Sequence, residues 1–308
     1  MKDSSSRFLT IRGLRHHVRE WGREGARKLF MLHGWGDVSA SFQFVVDAFE
    51  ADWHVFAPDW RGFGLSGWSP GGYWFPEYLA DLEAVLDHLA PDEAVNLVGH
   101  SLGGNVACLY AGVRPQRIAR LAALDAFGLP GRAPEEAPAR LETWLDQLKV
   151  SRGFRVYSGD DAFAARLMRD NPRLTPERAA FLAKHLGTRD DAGGVRIAAD
   201  PLHRNLNPVL YRRHEAEACW RGVEAPVLGI VQESPDWRRA MGVDDAMHEA
   251  ATACFRDYRE VVIADSGHNF HHDQPERTAA TLEAFFLSEP AGSSRNPGPA
   301  SSPGGDHG

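Results

Sequence analysis

Cysteine is scarce in this chain, with three in 308 residues, at Cys108, Cys219 and Cys254. An odd number at wide spacing excludes a disulfide framework and offers no Cys-x-x-Cys metal site, so a reducing, cytoplasmic compartment is expected. Long apolar runs are missing as well. Residues 1–10 are polar and lack the apolar segment of a signal peptide, so a soluble protein without a membrane span is expected. There is no excess of positive charge: 34 Lys and Arg stand against 42 Asp and Glu, a net charge of −8 at pH 7. That balance gives no electrostatic footprint for nucleic acid or an anionic membrane, and neither is expected as a partner. The stretch 289–308 has almost nothing to bury, being mostly Pro, Gly, Ser and Asn, and is expected to be a disordered tail.

What is present is patterned for a globular fold. Apolar residues make up 43% of the chain and aromatics 10%, enough for a sizeable core. Residues 8–22 read as an extended hairpin turning at Arg12-Gly13, and a buried strand at 28–32 ends in His33-Gly34-Trp35-Gly36. A helix is expected over 39–49 and a strand at 54–57. Leu79, Leu82, Val85, Leu86 and Leu89 form an apolar stripe at helical spacing, opened by Pro76 and closed by Pro91. Further strands are expected at 95–98, 118–124, 225–231 and 260–264, and a last helix over 275–287. Between 129 and 220 the patterns are helical only, at 139–150, 160–169 and 176–185. Alternating strands and helices predict an α/β fold, a mostly parallel central β-sheet with helices on both faces, with the helical block as an insertion that cannot join it. In such a sheet, chemistry sits in the loops at the carboxyl ends of the strands.

The densest of those loops is Gly99-His100-Ser101-Leu102-Gly103, between an apolar strand and a helical pattern. A strand-to-helix turn this sharp strains its central residue, and side chains two positions either side would collide with the neighbouring backbone, hence the two glycines. The turn also aims Ser101 along the start of a helix, where unpaired N–H groups favour developing negative charge. A serine becomes a strong nucleophile only when a positioned base, best a histidine, takes its proton.

Four stretches in order carry a resemblance: His33-Gly34-Trp35-Gly36, the loop from Asp59-Trp60-Arg61-Gly62 to Ser66, the serine turn with Gly104, and Gly267-His268. Together they resemble the α/β-hydrolase superfamily, in particular its serine hydrolases with a helical cap, and more loosely its serine hydrolase-like branch. The resemblance spans residues 8–287. It implies an α/β-hydrolase fold with its core at 1–128 and 222–288 and a helical cap at 129–221, between the sixth and seventh strands.

The resemblance also implies roles. Ser101 is the expected nucleophile and His268 the base, with the backbone N–H groups of Trp35 and Leu102 as the oxyanion hole. The acid is open. Most of the superfamily carries it in a Gly-x-x-Asp loop after the seventh strand, which here reads Gln232-Glu233-Ser234-Pro235-Asp236. Capped relatives such as the haloalkane dehalogenases can carry it at the end of the sixth strand, where Asp125 terminates an apolar run. An acidic side chain there needs a partner such as an imidazolium, so Asp125 is preferred, with Asp236 the alternative and Glu233 a remote third. Asp59 and Arg61 are expected to brace their loop, and His33 and His100 to serve loop geometry and packing. His271, His272 and Asp273 read as a solvated helix start, and no metal or cofactor is expected.

Haloalkane dehalogenases and epoxide hydrolases place an aspartate at the elbow; serine suits acyl transfer to water instead. The expected function is a serine esterase cleaving carboxylic esters of small to medium, largely apolar substrates through an acyl-enzyme. A C–C bond hydrolase with the same residues and a non-catalytic hydrolase-fold binding protein are the alternatives. Trp60, Phe127 and Trp144 are the expected pocket aromatics, with Trp35, Trp68 and Trp74 also in strand-end loops or the cap.

Overall fold

The computed structural model describes residues 1–150 and 153–288; the tail expected at 289–308 lies outside them. The elements run β1 (Ser4–Ile11), β2 (Leu14–Trp21), β3 (Arg27–Leu32), α1 (Gln43–Ala48), β4 (Trp53–Pro58), α2 (Phe75–Leu89), β5 (Val95–His100), α3 (Leu102–Val113) and β6 (Ile118–Leu124). An insertion follows with α4 (Ala137–Leu148), α5 (Asp160–Asp170), α6 (Pro176–Leu186), β7 (Gly187–Arg189), β8 (Val195–Ile197) and α7 (Arg213–Trp220). The chain then returns through β9 (Val227–Gln232), α8 (Asp236–Ala240), α9 (Asp245–Thr252), β10 (Tyr258–Ile263), α10 (Phe270–Asp273) and α11 (Pro275–Phe286).

Eight strands form one sheet in the order β1-β2-β4-β3-β5-β6-β9-β10. β1 and β2 are antiparallel to each other, β2 is antiparallel to β4, and every other pairing is parallel. Central strands buried on both faces must be apolar almost throughout, and β4, as Trp-His-Val-Phe-Ala-Pro, is buried at every position. Alternation along β3 sends Phe30 and Leu32 into a cluster with Leu82, Val85, Val106 and Trp220 under α2, α3 and α7. Leu29 and Met31 enter the opposite cluster with Val45, Phe270, Leu282 and Phe286 under α1, α10 and α11. A third cluster joins Phe163, Leu182 and Val195 of the insertion to Val38 and Ala40, seating the insertion on the loop after β3.

Several elements differ from the sequence expectation. β1 begins at Ser4, because an edge strand of serines carries no apolar alternation to announce it. The helix expected over 39–49 is a 3-10 turn, Ser39–Phe42, followed by the short α1. Tertiary bonds hold that turn: Ser39 N donates to Asp59 Oδ1 at 2.6 Å and Ser41 Oγ to Asp37 Oδ2 at 2.8 Å. The block expected to hold no strand contains the β7–β8 hairpin, whose three-residue strands are too short to register as a period. At the end of that block α7 packs on α3, so closely that a Cβ on Gly112 would meet Cys219 O at 1.8 Å.

The serine turn is the tightest junction at the strand ends. A Cβ on Gly99 would lie 2.4 Å from Gly103 O, and one on Gly103 would lie 2.3 Å from Leu32 O and 2.7 Å from His33 O. Those neighbours are backbone atoms of β3, of the loop that follows it and of α3, and cannot swing aside. Gly103→Ala is therefore expected to cost about 3 kcal/mol or more despite the better helix propensity of alanine, a fall of about 10 °C in melting temperature. Gly71→Ala, with nothing within 4 Å, is the matched control expected to stay near wild type in the same calorimetric scan.

Candidate active site

Ser101 sits between β5 and α3 at φ +50° and ψ −113°, a backbone conformation that non-glycine residues rarely occupy. Its N–H donates to Leu124 O at 2.9 Å and its carbonyl accepts from Asn105 N at 3.0 Å, so the strain is held from both sides. Gly34 lets the loop after β3 lie directly on the turn, since a Cβ there would be 3.2 Å from Ser101 Cβ. That contact brings the Trp35 backbone beside the start of α3. Neither Trp35 N–H nor Leu102 N–H donates a hydrogen bond among the described residues, and both remain available to an anion at the serine. His33, fully buried, shapes this loop: its Nδ1 donates to Gly34 O at 2.7 Å while its Nε2 accepts from Trp60 N at 2.9 Å. Burial lowers the His33 pKa, consistent with that neutral tautomer.

Of the two candidate acids, Asp125 is the one against His268. His268 Nδ1 donates to Asp125 Oδ2 at 2.6 Å, with 14% and 4% of the two side chains exposed. Asp125 stands at φ +49° just past β6, its N–H tied to Ile230 O at 2.8 Å. Gln232, where a glycine is usual, donates from Nε2 to the same Oδ2 at 3.0 Å. Asp236 begins α8, is exposed, and its N–H bonds Ser234 Oγ at 3.2 Å. Glu233 accepts from Asp265 N at 2.9 Å, bracing the loop that carries His268. That loop is also held by His100, whose Nε2 donates to His268 O at 2.9 Å.

A pocket of about 70 Å³ opens beside Ser101 and Asp125, walled by Phe127, Leu129, Trp237, Met241 and Val243. Trp237 was not legible as a site residue; its ring stacks on the His268 imidazole with centroids 4.5 Å apart and planes at 26°. The only sequence signal was its place next to Asp236. Two expected pocket aromatics lie elsewhere. Trp60 is 1% exposed in the core, its Nε1 spent on His33 O at 2.9 Å, because the loop after β4 folds inward over α2. Trp144 on α4 packs edge-on against Trp74 at 6.1 Å, away from the serine pocket. Trp35 is half exposed and meets Phe63 and Phe154 edge-on or tilted. A larger hollow of about 840 Å³ between α1 and α11 is lined by Glu50, Glu276, Glu283, Leu287, Ser288 and alanines, and none of the expected catalytic residues lines it.

Asp59 and Arg61 do not pair with each other. Asp59 accepts from Ser39 N, Leu65 N and His17 Nδ1; burial pushes its pKa up, but these partners win and hold it at about 2. Arg61 forks onto Asp81 and also meets Glu77. Both therefore anchor the loop after β4 rather than face the pocket.

His271, His272 and Asp273 are buried, not a solvated helix start, because α10 turns inward beneath the loop after β3. His271 Nε2 donates to Asp37 Oδ2 at 3.3 Å, and His272 Nε2 lies 3.7 Å from the same oxygen. Burial opposes the charge on Asp37, yet the hydrogen bond from His271 and the nearby His272 imidazole bring its pKa well below the usual carboxylate range. Burial pushes His271 down to about 3 and His100 well below its ordinary value.

The sequence over residues 29–158 matches the alpha/beta hydrolase fold family. An uncharacterized protein of Mycobacterium tuberculosis is 36% identical over 303 residues, covering 92% of this chain and 82% of its own. A serine hydrolase-like protein of Danio rerio is 27% identical, covering 86% and 83%. Among solved structures, the thioesterase domain from the curacin biosynthetic pathway superposes with a TM-score of 0.83 over 92% of this chain and 99% of its own, at 23% identity. An esterase of Mycobacterium tuberculosis does so at 0.71 over 92% of each, at 20% identity. Fold, sheet order, serine turn and these likenesses agree: the chain belongs to the α/β-hydrolase superfamily.

Proposed function

We propose that this protein is a serine esterase whose nucleophile is Ser101, whose base is His268 and whose acid is Asp125. The observation that carries the reading is the 2.6 Å bond from His268 Nδ1 to Asp125 Oδ2 at the mouth of a pocket that Ser101 also lines. With Nδ1 committed to the carboxylate, Nε2 is the nitrogen free to accept a proton. Ser101 Oγ attacks the ester carbonyl while His268 takes its proton; the Trp35 and Leu102 N–H groups receive the oxyanion. His268 returns the proton to the leaving alcohol, and water then repeats the route on the acyl-enzyme to release the acid. Gln232 and Trp237 hold the acid and base in place, one by a hydrogen bond and the other by stacking. The cysteines, free at all three positions, fit a cytoplasmic setting.

The pocket walls favour a small, largely apolar acyl group, because about 70 Å³ leaves no room for a long chain. Likeness to a serine hydrolase-like protein and to an esterase supports ester substrates. The test is p-nitrophenol release from a series of acyl esters. Acetate and butyrate esters are expected to turn over faster than decanoate; a folded protein that releases nothing from any of them overturns the reading.

A further inference from the structure

Behind the candidate active site lies a side-chain cluster that the hydrolytic cycle does not use. Asp37 follows the loop after β3, His100 ends β5 and His271 stands on α10, and one ligand-type atom of each lies within 4.8 Å of the others. All three are buried, and among the described residues the His100 and His271 Nδ1 atoms have no hydrogen-bond partner. His100 gives its Nε2 proton to His268 O, so its Nδ1 carries a lone pair with nothing to accept. A buried lone pair left without a donor, as on His100 Nδ1, is costly unless something else binds it.

We propose that Asp37, His100 and His271 form a binding site for a single divalent transition cation of the zinc class. The donor set of one carboxylate and two imidazoles suits zinc, cobalt or nickel rather than calcium or magnesium. Around zinc, tetrahedral ligand atoms sit about 3.4 Å apart, so the cluster needs a contraction of up to about 0.8 Å per ligand. The carboxylate is already oriented by Val38 N on Oδ1 and Ser41 Oγ on Oδ2, both at 2.8 Å, the kind of outer support that metal ligands carry. His271 binds by moving its Nε2 proton to Nδ1, with no net proton released. His272 Nε2, 3.7 Å from Asp37 Oδ2, stands in reach as a further donor.

The cluster also touches the reaction machinery. His100 holds the His268 carbonyl and precedes Ser101, while Asp37 follows the Trp35 loop. Drawing these ligands inward displaces His268 and Ser101 together, so the bound cation acts as an inhibitor of the esterase.

The experiment titrates Co²⁺, and separately Zn²⁺, into the full-length protein and into Ser101→Ala, reading visible cobalt absorption and calorimetric stoichiometry. One equivalent is expected to bind both proteins, with Kd on the order of 1 μM and a tetrahedral or five-coordinate spectrum free of thiolate charge transfer. His271→Gln and Asp37→Asn are each expected to weaken it at least about 100-fold, while His248→Gln, which breaks a surface His–Glu pair, leaves it unchanged. Absence of a stoichiometric site in the wild type, thiolate bands, or undiminished binding in folded His271→Gln overturns the proposal. If both ligand variants misfold, X-ray absorption of the wild-type cobalt complex decides: fewer than two imidazoles in the coordination shell overturns it equally. Binding is read on Ser101→Ala as well, so its failure leaves the hydrolase reading untouched.

Discussion

Ser101→Ala is expected to lower kcat on the best p-nitrophenyl ester by about 10⁵- to 10⁶-fold while the protein stays folded. The hydroxyl is the only atom removed, and alanine takes the same cramped backbone position without adding volume against Gly34. What survives is the modest acceleration from the unaltered oxyanion donors and pocket, which bind the substrate and polarise its carbonyl without forming an acyl-enzyme. KM should change little, because the deleted atom binds the transition state rather than the ground state. A variant retaining a tenth of wild-type turnover would assign the nucleophile elsewhere.

The second large effect concerns the acid. Asp125→Asn is expected to lower kcat by about 10⁴-fold, because an amide in that position can present an N–H to His268 Nδ1 and turn the imidazole to the wrong tautomer. Gln232 Nε2 and His268 Nδ1 both donate to the same oxygen of Asp125, so the amide also removes the negative charge on which the two donors converge. Asp236→Asn should leave kcat within about two-fold, since that side chain is exposed at the start of α8. A reversal of the two outcomes would return the acid to the loop after β9. Steady-state kinetics with circular dichroism on each variant is sufficient.

Much of this arrangement was readable because it is written in local rules. Gly99 and Gly103 flank Ser101 because a Cβ at either would run into neighbouring backbone, and the buried runs of β3 to β6 follow from strands covered on both faces. The preference for Asp125 over Asp236 came from an uncompensated acid at the end of an apolar strand, which is again local. Where the sequence misled about individual side chains, the cause was tertiary. Trp60 resembled a pocket aromatic because it sits in a strand-end loop, yet its indole N–H is needed by His33 O and its ring fills the core. His271 and His272 looked solvated because α10 is a single turn with no period of its own, and only Asp37, 234 positions away from His271, explains their burial. Trp237 and Gln232 gave no sign of their roles, since both act through residues more than a hundred positions earlier or on a different loop. The β7–β8 hairpin and the short α8 and α9 fall below the length at which periodicity speaks.

The measurement closest to the central claim is reaction with a fluorophosphonate, followed by intact mass and peptide mapping. The account predicts one phosphonyl group per chain, carried by the peptide containing Ser101, with labelling abolished in Ser101→Ala and slowed by orders of magnitude in Asp125→Asn. An unlabelled wild-type protein, or a label on any other residue, would contradict it.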